Sequence, residues 1–164
     1  MNANLNHMFK TFKMNTFQIF ALLLICLING SLGATKSKCD VVHALRTEGV
    51  PNSDMRDWLC LVAHESSYRY DIKHINSDGS TDFGIFQLND NYMCGNAQGT
   101  SSTTCWRIRT YGCADACSTF ADSNISNDAS CAVRVKNCDG FKRWYGWLNH
   151  CSDVSGSQYD YSHC

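Results

Sequence analysis

Two carboxyl groups in this chain stand in unlike surroundings. The run Trp58-Leu59-Cys60-Leu61-Val62-Ala63-His64-Glu65 sets a glutamate in the last turn of an apolar helix. Apolar neighbours disfavour the ionised form, and the negative end of the helix dipole pushes the same way. A raised pKa is therefore expected, and a carboxyl kept neutral can donate a proton. Alone, such a residue is more often a solvated helix end. The partner is Asp82, in Asn76-Ser77-Asp78-Gly79-Ser80-Thr81-Asp82-Phe83-Gly84-Ile85-Phe86-Gln87-Leu88, on the second strand of a hairpin where it can face the helix end across a cleft. Asn76, Gln87 and Asn89 offer amides suited to sugar hydroxyls and to holding a carboxylate ionised. One neutral carboxyl to protonate a leaving oxygen and one charged carboxylate to meet an oxocarbenium ion are what cleavage of a glycosidic bond needs. Asp78, before Gly79, is expected to bond its own backbone instead.

The elements that must position this pair can be read from periodicity. Val41, Val42 and Leu45 recur at helical spacing, as do Met55, Trp58, Leu59 and Val62. Pro51-Asn52-Ser53 opens the second helix, with Asn52 or Ser53 as its expected cap. From Asp71 to Leu88 the pattern turns short and polar around Ser77-Asp78-Gly79-Ser80, which predicts a small antiparallel sheet. Residues 92–110 are rich in Gly, Ser, Thr and Asn and read as a long irregular loop pinned by bridges. Helical spacing resumes at Cys117–Phe120, Cys131–Val135 and Trp144–Leu148. The expectation is an α+β domain, with helices flanking a small sheet lobe and a cleft between them.

Residues 1–33 carry Lys10 and Lys13, an apolar run from Phe17 to Ile28 broken only by Gln18, and small residues at the end. That order predicts a signal peptide, with Met14 as an alternative start, ahead of one secreted, extracellular domain at 34–164. The run is shorter than the roughly 20 apolar residues of a membrane span. The domain keeps 12 of the 14 Lys+Arg and all 15 Asp+Glu, hence 12 minus 15, or −3. That balance gives no electrostatic footprint for nucleic acid and none for a cationic membrane-lytic peptide. Ten of the 11 cysteines fall in the domain, and an even number in a secreted chain implies five bridges. A metal knuckle at Cys113-x-x-x-Cys117 is the competing reading of that pair.

The stretch from Cys60 through Glu65 to Asn89, the Cys113-x-x-x-Cys117 pair, Cys131, and Trp144-x-x-Trp147-x-x-x-Cys151 resemble the c-type lysozyme and α-lactalbumin family in order and spacing, over nearly the whole domain. In that family this carboxyl pair is the type case. The resemblance implies a lysozyme-like fold and a retaining muramidase, with Glu65 as general acid and Asp82 as nucleophile or charge stabiliser. Its substrate would be β-1,4-linked peptidoglycan or chitin-like chains, and its role antibacterial defence or digestion. It also implies the bridges Cys39–Cys164, Cys60–Cys151, Cys94–Cys117 and Cys113–Cys131, and makes Trp144 the wall of the acid's pocket. Cys105 and Cys138 are left over, and a fifth bridge between them is expected.

Departures from the family bear on function. Where strongly active members often carry two adjacent tryptophans, this chain has Tyr92-Met93, and Met is the poorer platform for a sugar face. A glycan-binding protein with little turnover is therefore the alternative reading. A regulatory role like that of α-lactalbumin is weaker, because both carboxyls are retained. Residues 119–125 offer only Asp122 as a carboxylate, so no structural calcium is expected. His64-Glu65-Ser66-Ser67-Tyr68 lacks the second histidine of a zinc-protease helix, and neither a metal nor a cofactor is expected. Asn124-Ile125-Ser126 is an N-glycosylation acceptor or a capping turn. A monomer whose partner is a polysaccharide is expected.

Overall fold

The computed structural model describes residues 34–164; the expected signal peptide lies outside them. No helix among the described residues is long and apolar enough to cross a membrane. Ser37 starts α1 (Lys38–Thr47) with a capping box: its Oγ accepts the Asp40 N–H at 3.2 Å, and the Asp40 carboxylate accepts the Ser37 N–H at 2.9 Å. The Ser37 hydroxyl, which donates to the Asp40 carboxylate at 2.7 Å, and after it the Ser37 N–H hold the Asp40 carboxyl below the usual range. Helix α2 (Asn52–Glu65) begins differently from expectation. Pro51, extended at φ −70°, takes the cap position, and Asn52 and Ser53 lie inside the helix without capping it. Proline suits a helix start because it has no N–H to leave unpaired.

After α2 come β1 (Lys73–Ile75), β2 (Thr81–Phe83) and β3 (Leu88–Asn89), an antiparallel sheet in the order β1-β2-β3. The register pairs His74 with Asp82 and Asp82 with Asn89. Ile85 and Phe86, expected near a strand, lie in the turn between β2 and β3 and are fully buried there. That turn presses against the rest of the domain at Gly84, whose φ is +71° and where a Cβ would lie 1.7 Å from the Phe120 carbonyl oxygen. Only glycine fits.

The loop expected over 92–110 is shorter than predicted, because Cys105–Tyr111 forms a helix, α3. Polar composition there is overridden by tertiary anchoring: Ile108 is buried, and Cys105 is bridged to Cys138 at the end of α4 (Ser126–Asp139). A 3-10 turn at Cys117–Phe120 precedes α4, another at Phe141–Arg143 follows it, and α5 (Tyr145–His150) leads to a last 3-10 turn at Ser157–Tyr159. The observed architecture is the α+β arrangement expected.

Five disulfides close the domain: Cys39–Cys164, Cys60–Cys151, Cys94–Cys117, Cys105–Cys138 and Cys113–Cys131. Cys113 and Cys117 belong to different bridges, which removes the thiolates a metal knuckle would use. At the centre lies Trp58 of α2, fully buried and edge-on to Phe86 at 5.6 Å, Phe141 at 4.9 Å and Trp144 at 5.8 Å. This cluster joins α2, the β2–β3 turn and the segment before α5, with edge-to-face pairs worth roughly 1 kcal/mol each beyond their burial. Trp147 stacks on Phe141 and donates its Nε1–H to Asp57 at 2.8 Å.

Asp128 in the first turn of α4 is fully buried, and its carboxyl has no side-chain hydrogen-bond partner. Burial pushes its pKa up to about 8; the backbone N–H groups of Asp128 and Ile85 lower it by less, and the charges of Asp122 and Asp115 add to the rise. A helix N-terminus favours an anion by typically about 0.3–1 kcal/mol, too little to offset the loss of hydration.

Two tests follow from this packing. The native state keeps a proton on Asp128 that the unfolded chain gives up near the ordinary value of 3.8, so this residue makes folding less favourable as pH rises from there to about 8. Asp128→Asn should flatten that slope, raising the melting temperature more at pH 8 than at pH 5; equal shifts at both would contradict the buried, protonated state. Replacing Cys105 and Cys138 together by Ser should lower the melting temperature by about 10 °C, since such a bridge typically contributes about 2–4 kcal/mol. Calorimetry of the double variant checks this.

Candidate active site

A cavity of about 680 Å³ opens between the sheet and the helices, and Glu65, Asn76, Asp82, Gln87, Asn89, Tyr92, Met93 and Trp144 all line it. Residues distributed over 80 positions of sequence thus converge on one cleft.

Glu65 is the last residue of α2. The helix stops there because Ser66 is buried and its Oγ bonds back to the Val62 carbonyl at 3.1 Å, while Ser67 and Tyr68 take left-handed backbone at φ 53° and 64°. Tyr68 folds under the helix, its hydroxyl donating to the Leu59 carbonyl at 3.3 Å, and burial pushes its pKa up to about 12. The Glu65 carboxyl is half-buried and accepts the Gly146 N–H at 2.7 Å. A Cβ at Gly146 would sit 2.6 Å from Glu65 Oε1, so the glycine lets the first turn of α5 approach the acid closely. Burial raises the pKa of Glu65, the Gly146 N–H lowers it by a smaller amount, and the charge on Asp82 raises it again. The net direction is upward.

Asp82 has the opposite environment. Asn76 Nδ2 donates to its Oδ2 at 2.9 Å and Asn89 Nδ2 to its Oδ1 at 2.6 Å. Both amides also donate to Ser80 Oγ, at 3.1 and 3.0 Å, and Ser80 in turn donates its N–H and Oγ–H to Asp78 Oδ1 at 2.9 and 2.7 Å. Asp78 is thereby held below the usual carboxylate range, by the Ser80 hydroxyl first and the Ser80 amide second. Asp78 closes the turn as its position before glycine suggests, and it is also the end of a donor chain that aims two amides at Asp82. The cross-strand register is what brings Asn89 opposite Asp82.

Trp144, 2% exposed, donates its Nε1–H to the Phe86 carbonyl at 2.8 Å, tying the wall of the cleft to the β2–β3 turn. Three further lining residues are held as follows. Gln87 lines the cavity but is buried at φ 49°, and its amide donates to the Gly84 carbonyl at 2.8 Å, which makes it also a brace for the turn. Met93 lines the cavity too and is 5% exposed, in keeping with the poor sugar platform expected of a methionine there. Tyr92 is 55% exposed, but the Arg143 guanidinium lies over its ring at 5.6 Å. Sequence reasoning missed Ser80, Gly146 and Arg143. Of these only Arg143 carried a signal, a cation directly before the tryptophan of the cleft wall.

Asn124 is exposed, and its Oδ1 accepts the Ser126 N–H at 3.2 Å in a local turn.

Comparison with known proteins agrees with this geometry. The family model for the C-type lysozyme/alpha-lactalbumin family matches residues 34–164. A lysozyme of Bombyx mori is 38% identical over 146 residues, covering 89% of this chain and 96% of the relative. Lysozyme c-1 of Anopheles gambiae is 32% identical over 139 residues, covering 85% and 92% respectively. Lysozyme C, milk isozyme, of Equus caballus is 33% identical over 128 residues, covering 75% and 93%. With a helical lobe, a three-stranded sheet, a cleft between them and a family match spanning every described residue, the chain belongs to the C-type lysozyme/alpha-lactalbumin family.

Proposed function

We propose that this chain is a secreted glycoside hydrolase, a lysozyme that cleaves β-1,4 linkages in the amino-sugar chains of peptidoglycan with retention. One observation carries the reading: two carboxyls line one cavity, Glu65 with its pKa raised by burial and Asp82 accepting two side-chain amides. Glu65, kept neutral by burial, protonates the leaving glycosidic oxygen. Asp82, fed by two amide donors, meets the charge that develops at the anomeric carbon as nucleophile or stabiliser. Glu65, now anionic, then takes a proton from the incoming water and the cycle closes. Asn76 and Asn89 serve as positioning residues through their bonds to Asp82, and Trp144 and Tyr92 border the sugar path. The signal peptide expected over residues 1–33 supports export, and Asn124 is exposed as an N-glycan acceptor has to be, while its Oδ1 also serves the local turn.

Two features favour a second reading, a glycan-binding protein with little turnover: Met93 is buried and the Tyr92 ring is partly covered by Arg143. The same experiment separates the readings. Clearing of bacterial cell-wall suspensions by the parent, with at least about a hundredfold lower rate for Glu65→Gln and unchanged binding, is the result expected of a general acid. Asp82→Asn should be similarly severe. A parent that binds cell walls without clearing them would establish the second reading.

The pH profile gives an independent check. Glu65 must be protonated to act, and its value is raised above the ordinary 4.5 by burial and by Asp82. Activity should therefore persist above the usual carboxylate range and decline as pH rises through that raised value. A kcat/KM already falling by pH 4 to 5 would remove Glu65 from the role of acid.

A further inference from the structure

Beside the main cleft lies a second cavity of about 430 Å³, lined by Arg109, Asp139, Lys142 and Arg143. Arg143 lines both cavities and forms the wall between them. The formal charge of these four residues is three positive minus one negative, or +2, within a domain whose total is −3. Three of the domain's 12 cations thus line the second cavity, and one of them, Arg143, also lines the cleft that carries Asp78 and Asp82.

The way these cations are held shows which are committed. Arg109 pairs with Asp139 at 2.7 Å and donates to the Cys138 carbonyl at 2.6 Å. The Cys105–Cys138 bridge, with α3 behind it, sets that corner. Arg109 therefore neutralises Asp139 and builds the wall. Among the described residues, Lys142 and Arg143 have no carboxylate partner. The 3-10 turn Phe141–Arg143 carries both, Lys142 exposed and Arg143 lying over the Tyr92 ring. The Arg143 guanidinium, over the Tyr92 ring at 5.6 Å, has no side-chain hydrogen bond among the described residues, and a guanidinium N–H edge matches a carboxylate in bidentate geometry.

We infer that Lys142 and Arg143 form an anion-recognising subsite continuous with the cleft, which receives a carboxylate-bearing substituent of the bound glycan. This rests on the glycan-cleaving or glycan-binding reading of the main cleft and narrows its ligand to an acidic amino-sugar polymer, one whose sugars carry peptide side chains with free carboxylates. A neutral β-1,4-linked N-acetylglucosamine chain fills the main cleft but leaves both cations without a partner. The aromatic ring under Arg143 then has two uses: it shapes the sugar path, and it holds the guanidinium over the boundary between the two cavities.

The test measures binding by titration calorimetry, in the Glu65→Gln background so that the ligand is not consumed. The probes are purified peptidoglycan oligosaccharides with peptide carboxylates free, the same oligosaccharides with those carboxylates converted to amides, and neutral N-acetylglucosamine hexamer. Lys142→Gln with Arg143→Gln should lower the ratio of acidic to amidated affinity about tenfold and remove most of the salt dependence seen with the acidic probe, while Lys142→Gln alone, which leaves the Tyr92 ring covered, should change the amidated probe and the hexamer by less than about twofold. Lys142→Glu alone, at an exposed position, should act in the same direction and covers the case in which the double variant folds poorly. Equal losses on all three probes, or no loss on the acidic one, would overturn the subsite. Turnover of the parent on cell walls is scored separately, so its absence would defeat the hydrolase reading while leaving the charge discrimination to be read from binding.

Discussion

A half-buried carboxyl at the end of α2, sharing one cleft with a carboxylate that accepts two amides, is the arrangement on which the rest of the structure depends. Burial acts in one direction only: it disfavours the charged form of any acid it encloses. The cleft therefore has to be asymmetric, apolar around Glu65 and rich in donors around Asp82. Glu65 receives one N–H, from Gly146, which orients the carboxyl without reversing the effect of burial. Asp82 receives two side-chain amides held by a shared hydroxyl. The charge on Asp82 adds to the upward shift of Glu65.

That asymmetry is built from two kinds of structure. The apolar half belongs to α2 and the aromatic cluster around Trp58, where ring packing joins the helix carrying Glu65 to the turn between β2 and β3 and to the segment carrying Trp144. The polar half belongs to a short sheet with few buried side chains, which gains its rigidity from hydrogen bonds: Asp78 to Ser80, Ser80 to Asn76 and Asn89, and both of those to Asp82. The two halves meet where Trp144 donates to the Phe86 carbonyl and Gly84 lies against the Phe120 carbonyl. Asp128 lies fully buried beside Gly84 at this junction, and the burial raises its pKa.

Around this centre the chain carries additions that change which ligand fits. The Cys105–Cys138 bridge and α3 hold Arg109 against Asp139, and the turn before Trp144 presents Lys142 and Arg143. Positive charge is concentrated there in a domain that is acidic in total. Long-range attraction to an anionic surface is therefore weak, and discrimination has to arise at short range, inside the cleft, where salt screens it less.

Periodicity and residue type alone located the helices over Val41–Leu45 and Met55–Val62, the hairpin at Ser77–Ser80, and the contrast between Glu65 on an apolar helix and Asp82 among amides. Each of these is a local pattern, with its cause within a few residues. Three things depended on contacts between distant segments. The helix at Cys105–Tyr111 was hidden by a polar composition and exists because Ile108 and the bridge to Cys138 anchor it. Pro51 displaced Asn52 and Ser53 as the start of α2, a boundary that backbone geometry decides. Gln87 lines the cleft but has one amide N–H engaged by the Gly84 carbonyl, a bond that its left-handed backbone in the β2–β3 turn decides. Residue type specifies what a side chain can do, but whether its polar atoms remain available is settled by which neighbours the tertiary fold has already given them.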